Sequence, residues 1–153
     1  MDVLHFEDFP AGEVREYGDR LVTEAEIIAF ARQFDPQSFH VDAEAAKDSQ
    51  IGGLIASGWH TAALLMRMNC DEFLLRAASE GAPGVDEVKW VKPVRPGERL
   101  RVRRTTLSAR VSQSRPELGI VEFLFEVLNA DGEVRMTQRN SCFIRRRAAE
   151  TAA

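Results

Sequence analysis

Cysteine is scarce in this chain. Cys70 and Cys142 are the only two in 153 residues, too few for a disulfide scaffold and in no metal-ligand spacing. Long apolar runs are missing as well. None exceeds five residues, as at 62–66, whereas a membrane-spanning helix needs roughly 20. Basic charge is not in excess: 24 acidic residues face 20 basic ones, for a net charge of -4. That excludes the broad positive field that drives nucleic-acid binding. The first ten residues lack both a basic patch and an apolar stretch, so no secretory signal is read there. The expectation is a soluble, cytoplasmic protein with neither a membrane nor a nucleic acid as partner.

What is present fits an ordinary globular chain. Hydrophobic residues make up 44%, enough for a core without metal or disulfide staples. No repeat or low-complexity tract interrupts the sequence. Residues 1–147 are predicted to form one domain, with 148–153 as a frayed tail.

The first half reads as helical and the second as strands, which points to the α+β class. Thr23 and Glu26 form a capping box. Ile27, Ile28, Phe30, Ala31 and Phe34 then recur at helical spacing. Pro36 ends that helix by pushing Asp35 out of the helical region. A short helix capped by Asp42 is expected next. After a bend at Gly52, Gly53, Ser57 and Gly58, residues Trp59–Ala78 read as one continuous helix of about 30 Å. Its apolar first half predicts burial on every side.

Strands are predicted at Val14–Tyr17, Gly84–Val91, Glu98–Ser112, Gly119–Asn129 and Glu133–Arg145. Leu100 and Val102 are even-numbered, whereas Leu107, Ala109 and Val111 are odd. This change of phase predicts a bulge and a strongly curved strand. The sum is a curved antiparallel sheet wrapped around one long helix.

Two places in this frame could carry chemistry. The turn Asp35-Pro36-Gln37-Ser38-Phe39-His40 brings a carboxylate close to an imidazole. Asp35 sits at the negative end of the first helix dipole, and that field together with burial predicts a raised pKa. His5 lies near a terminus, and His60 falls in the first turn of the long helix, where packing is the plain reading. The second place is Ile55-Ala56-Ser57-Gly58-Trp59. Unpaired N–H groups at a helix start sit at the positive end of its dipole and can polarise a carbonyl oxygen.

These segments, with Val91-Lys92-Pro93-Val94-Arg95-Pro96-Gly97-Glu98, resemble the MaoC-like dehydratases. That family includes the (R)-specific enoyl-CoA hydratases and belongs to the hot-dog superfamily. The resemblance covers about residues 5–145 and implies the hot-dog fold, a sheet wrapped around a central helix. It implies a hydro-lyase that adds water to, or removes it from, a trans-2-enoyl or 3-hydroxyacyl thioester of the acyl-CoA type. Asp35 and His40 match the family's acid–base pair, and Gly58 matches the glycine whose N–H receives the thioester oxygen. No cofactor is implied, and a homodimer or larger homo-oligomer is.

The chain also departs from the family pattern. Gln37-Ser38 stand where the turn usually has Asn-Pro. Ser57 replaces the histidine before the helix-opening glycine, and Met66 stands near the position of a frequent serine. Ser57 and Trp59 are candidate substrate contacts. Lys92 and Arg95 are candidate contacts for the anionic carrier, from the same turn as Lys89 and Arg101. Two other readings remain: a hot-dog thioesterase, for which Asp71 and Glu72 lie late in the helix, and a non-catalytic acyl-thioester binder.

Overall fold

The computed structural model describes residues 1–148. Beyond Ala148, the tail expected at 148–153 lies outside the described residues. Among these residues, strand β1 (Val14–Leu21) leads into helix α1 (Glu24–Phe34), then short helices α2 (Ser38–Val41) and α3 (Ala43–Lys47), and helix α4 (Gly58–Asn69). Strands β2 (Glu87–Trp90), β3 (Arg99–Val111), β4 (Leu118–Leu128) and β5 (Val134–Arg145) follow. They form one five-stranded sheet in the order β1-β3-β4-β5-β2, and every named pairing is antiparallel. This is the hot-dog fold.

Local signals set the first helices as expected. Thr23 and Glu26 cap α1 reciprocally: each backbone N–H donates to the other residue's side-chain oxygen, at 3.2 and 3.1 Å. Helix α1 ends at Phe34, two residues before Pro36. Asp42 caps α3 by accepting from the N–H groups of Glu44 and Ala45. The predicted bulge lies in β3, where the pairing with β4 shifts register between Thr106 and Ser108. The buried side chains Leu100, Val102, Arg104 and Thr106 precede it on one face. Strand β1 runs further than predicted, through a second register shift at Gly18 (φ +85°). A Cβ on Gly18 would lie 2.6 Å from the Met68 sulfur of α4, so glycine there lets strand and helix meet.

The central helix differs from the sequence reading in two ways. It is shorter: α4 ends at Asn69 and widens into a π-helical turn over Cys70–Leu74. Tertiary partners take over where the helix was expected to continue. The N–H of Leu4 donates to the Arg76 carbonyl, Ala78 donates to Leu4, and Ser79 bridges to Ile144 in β5. Secondly, α4 is not enclosed on all sides. Leu64, Leu65 and Met68 are buried against the sheet, but Trp59 and Met66 are 59% and 50% exposed. The sheet covers one side of the helix, and an apolar stripe is left on the other.

Beneath α4, Phe9, Phe73 and Phe123 pack edge to face or tilted at 5.7 Å. Arg104 is 2% exposed and lies over all three rings, at 4.7–5.3 Å from their centroids. Such a cation is tolerated because it is paired, here by Nη2 donating to Glu13 Oε1 at 2.7 Å, with the aromatic faces adding cation–π attraction.

Candidate active site

The end of α1, the α2 turn and the start of α4 meet around one cavity of about 440 Å³. Asp35, Gln37, His40, Gly58 and Trp59 line it together with Thr61, Trp90, Lys92 and Arg135. The acid–base pair and the helix-opening glycine predicted from sequence therefore face the same space, although 18 residues separate His40 from Gly58.

His40 is 4% exposed and has a neighbour at each ring nitrogen. Its Nδ1 lies 2.7 Å from the Ile55 carbonyl oxygen. A carbonyl only accepts, so Nδ1 carries the hydrogen and Nε2 presents its lone pair to the cavity. Nε2 lies 3.3 Å from Asp35 Oδ2. Two basic atoms thus converge, an arrangement that shares a proton or accepts from one water placed in the cavity beside them.

Asp35 differs electrostatically from the sequence expectation of a raised pKa. Its carboxylate is held below the usual value, first because the Ser57 hydroxyl donates to Oδ2 and then because the Gln37 amide donates to Oδ1. Both bonds are 2.7 Å long. Hydrogen bonds made to the charged form outweigh the opposing effect of burial. The helix-dipole argument overlooked two donors, Gln37 two residues along the chain and Ser57, which tertiary structure brings in. Ser57, expected as a substrate contact, is fully buried, and its hydroxyl is committed to Asp35 and to capping Trp59 N–H at 3.3 Å.

Gly58 opens α4, and its N–H has no partner among the described residues. The carbonyl of the preceding Ser57 already accepts from His60 and Thr61. A Cβ on Gly58 would fall 2.4 Å from the Trp90 indole. Glycine is required here because β2 lays an aromatic ring against the helix start. Trp59 and Trp90 pack edge to face at 5.0 Å along the cavity rim.

The two candidate carrier contacts are placed differently. Lys92 borders the cavity and pairs with Glu133 at 2.6 Å. Arg95 lies outside the lining, its Nη2 donating to the Ile51 carbonyl at 2.6 Å. Sequence reading missed Gln37 and Arg135. The latter comes from β5 and donates to Glu98 at 2.5 Å, a contact without any local sequence signal. Asp71 pairs with Arg67 on the surface, outside the lining, and Glu72 is likewise outside it.

This is a hot-dog protein whose cavity gathers a carboxylate, an imidazole and a free helix-start N–H. The chain belongs to the MaoC-like dehydratase family, whose MaoC like domain profile matches residues 6–121. It is similar to the MaoC-like dehydratase from Rhodospirillum rubrum, with 41% identity and a TM-score of 0.87, over 95% of this chain and 99% of that one. It is 29% identical to Bacillus subtilis YdeM over 82% of this chain and 88% of the relative. The R-hydratase PhaJ1 from Pseudomonas aeruginosa shares the fold at 19% identity and a TM-score of 0.76, over 99% and 95% of the two chains. No helix among the described residues is long and apolar enough to cross a membrane.

Proposed function

We propose that the protein is a hydro-lyase acting on a trans-2-enoyl or 3-hydroxyacyl thioester of the acyl-CoA type. The observation that carries this reading is the meeting of His40 Nε2, Asp35 Oδ2 and the unpaired Gly58 N–H in one cavity. In the hydration direction, the thioester oxygen accepts from Gly58 N–H, and a water on the cavity side donates to Asp35 Oδ2 and His40 Nε2. His40 Nε2 takes one proton from that water while its oxygen bonds to C3. The electron pair of the double bond moves toward the thioester, and the enolate oxygen is held at the helix start. The imidazolium, stabilised by the carboxylate beside it, returns the proton to C2. One water is added and no net proton is consumed.

The lowered pKa of Asp35 suits a carboxylate that orients water and stabilises a cation, and it gives proton carriage to His40. Positioned acid–base groups of this kind contribute about 10²–10⁴-fold. A single oxyanion donor is worth about 2.7–4 kcal/mol.

A homodimer is part of this reading. Trp59, Met66, Trp90 and Val91 are exposed apolar side chains, Trp59 and Trp90 of them lining the cavity, and β2 is a four-residue edge strand. Covering them with a second copy would bury the patch and close the rim. Sedimentation of the purified protein should give twice the chain mass.

Enoyl absorbance and free thiol, followed together on trans-2-enoyl-CoA substrates, test the chemistry. Loss of absorbance with the thioester retained supports the hydro-lyase. Release of thiol would make the protein a thioesterase. Asp35→Asn and His40→Ala should each abolish turnover while ligand affinity persists. Full turnover by either variant would overturn the site assignment.

A further inference from the structure

Two cations, Lys92 and Arg135, line the candidate active-site cavity together with one carboxylate, Asp35. The backbone holds the cations side by side, since the N–H groups of Val91 and Lys92 both donate to the Arg135 carbonyl, at 2.9 and 3.2 Å. Their acidic partners stand outside. Glu133, paired with Lys92, and Glu98, paired with Arg135, are not part of the lining. The positive ends of both pairs therefore border the cavity, and their field there attracts an anion. Asp35 is already engaged by Ser57 and Gln37.

Pairing leaves much of Arg135 unused. A guanidinium carries five N–H donors. Among the described residues, the Arg135 side chain makes one hydrogen bond, from Nη2 to Glu98. Nη1 lies 4.0 Å from the Glu133 carboxylate, too far to donate, and Nε is buried without a partner. The side chain keeps only 14% of its surface exposed, so water supplies few of the missing acceptors. Lys92 is half exposed and has three donors, of which Glu133 takes one. A carboxylate matches the guanidinium fork and gains charge-assisted hydrogen bonds from both residues.

The extent of the cavity indicates which part of a ligand would carry that carboxylate. From α4 the lining includes Gly58, Trp59 and Thr61 and nothing further along the helix. A space of about 440 Å³ that stops within the first turn of α4 suits a short acyl group. The phosphates of CoA stand off from the thioester by the whole pantetheine arm, whereas Lys92 and Arg135 share one cavity with Asp35, His40 and Gly58.

We propose that Lys92 and Arg135 form a carboxylate subsite, and that the substrate is a short acyl thioester whose far end carries a carboxylate. The inference rests on the acyl-thioester reading above and names its substrate class. The two residues determine specificity: they choose the acyl group that is seated against His40 and take no part in moving its protons. A hydrocarbon end in the same place would strip water from the cations and offer them no acceptor in return.

The test is calorimetric binding of unreactive saturated thioesters to the whole protein. Glutaryl- and adipyl-pantetheine, which carry no phosphate, are compared with pentanoyl- and hexanoyl-pantetheine, and the same four acyl groups are measured on CoA. At least one diacid should bind about ten- to a hundred-fold more tightly than the uncharged acyl group of equal length, on either carrier. Lys92→Gln and Arg135→Gln should each reduce that preference. If Arg135→Gln fails to fold because Glu98 loses its cation, the wild-type comparison and Lys92→Gln still decide. Equal binding, tighter binding of the uncharged groups, or a preference that survives the substitutions would overturn the inference. So would variants that lose only the advantage of CoA over pantetheine, since the cations would then serve the carrier. Hydration of crotonyl-CoA, which has no carboxylate, checks the hydro-lyase reading separately.

Discussion

Replacing Ser57 by alanine removes one hydroxyl from a fully buried position and introduces no new bulk. That hydroxyl makes two contacts. It donates to the Asp35 carboxylate at 2.7 Å and accepts from Trp59 N–H at 3.3 Å as the cap of α4. A hydrogen bond to a charged group contributes about 1.5–3 kcal/mol. Asp35 keeps 18% of its side chain exposed, so water recovers part of that, leaving roughly 1–2 kcal/mol. The cap bond is long and adds about 0.5–1 kcal/mol. The sum is about 2 kcal/mol, or a Tm lower by about 4–8 °C in a chain of this size.

The pH dependence gives a sharper signature. The Asp35 pKa is lowered in the folded protein, chiefly by Ser57, so its contribution to stability is present above the ordinary carboxylate value of 3.8. That contribution disappears as pH falls through the folded value. The gap in Tm between wild type and Ser57→Ala should therefore be full at neutral pH and narrow in acid. The carboxyl carbon resonance of Asp35 should titrate at higher pH in the variant. Turnover should fall by about 10–100-fold as the carboxylate loses its fixed position. A Tm within a degree of wild type, together with an unmoved Asp35 titration, would refute the account of how this carboxylate is held.

Two further perturbations probe the frame around the site. A Cβ at Gly119 would lie 1.9 Å from the Phe6 ring, so Gly119→Ala should destabilise by about 1–3 kcal/mol through overpacking. Thermal melts should show partial recovery when Phe6→Ala is added; no recovery would mean that the contact is not the cause. His60 stacks on Phe30 at 4.8 Å, and burial pushes its pKa below 6.5. The unfolded chain then takes up this proton before the folded one, so stability should decline as pH falls through 6.5 toward the folded value. In urea melts His60→Gln should flatten that decline, and an unchanged slope would rule out His60 as its source.

Much of the architecture was legible because its signals are local. The Thr23–Glu26 box, the Pro36 stop and the Asp42 cap each depend on residues a few positions apart. The change of hydrophobic phase in β3 marked its bulge for the same reason. Asp35, His40 and Gly58 were recognisable as candidates from their types and motif order. The end of α4 was not legible, since residues 75–78 have good helical composition and it is Leu4 and Ile144 that capture the chain around them.

The sequence alone determined the α+β class, the starts of the capped helices and the residue types available for acid–base chemistry. These follow from short-range hydrogen bonding and from the periodicity of apolar side chains. Only the tertiary structure decided what those residues can do. It gave the Ser57 hydroxyl to Asp35 and lowered a pKa that the helix dipole alone would raise. It seated Arg104 among three aromatic rings and brought Lys92 and Arg135 to the cavity that holds Asp35. Each of these depends on partners far apart in the chain, and a pKa or a polar cavity is set by whatever group folding places within about 3 Å.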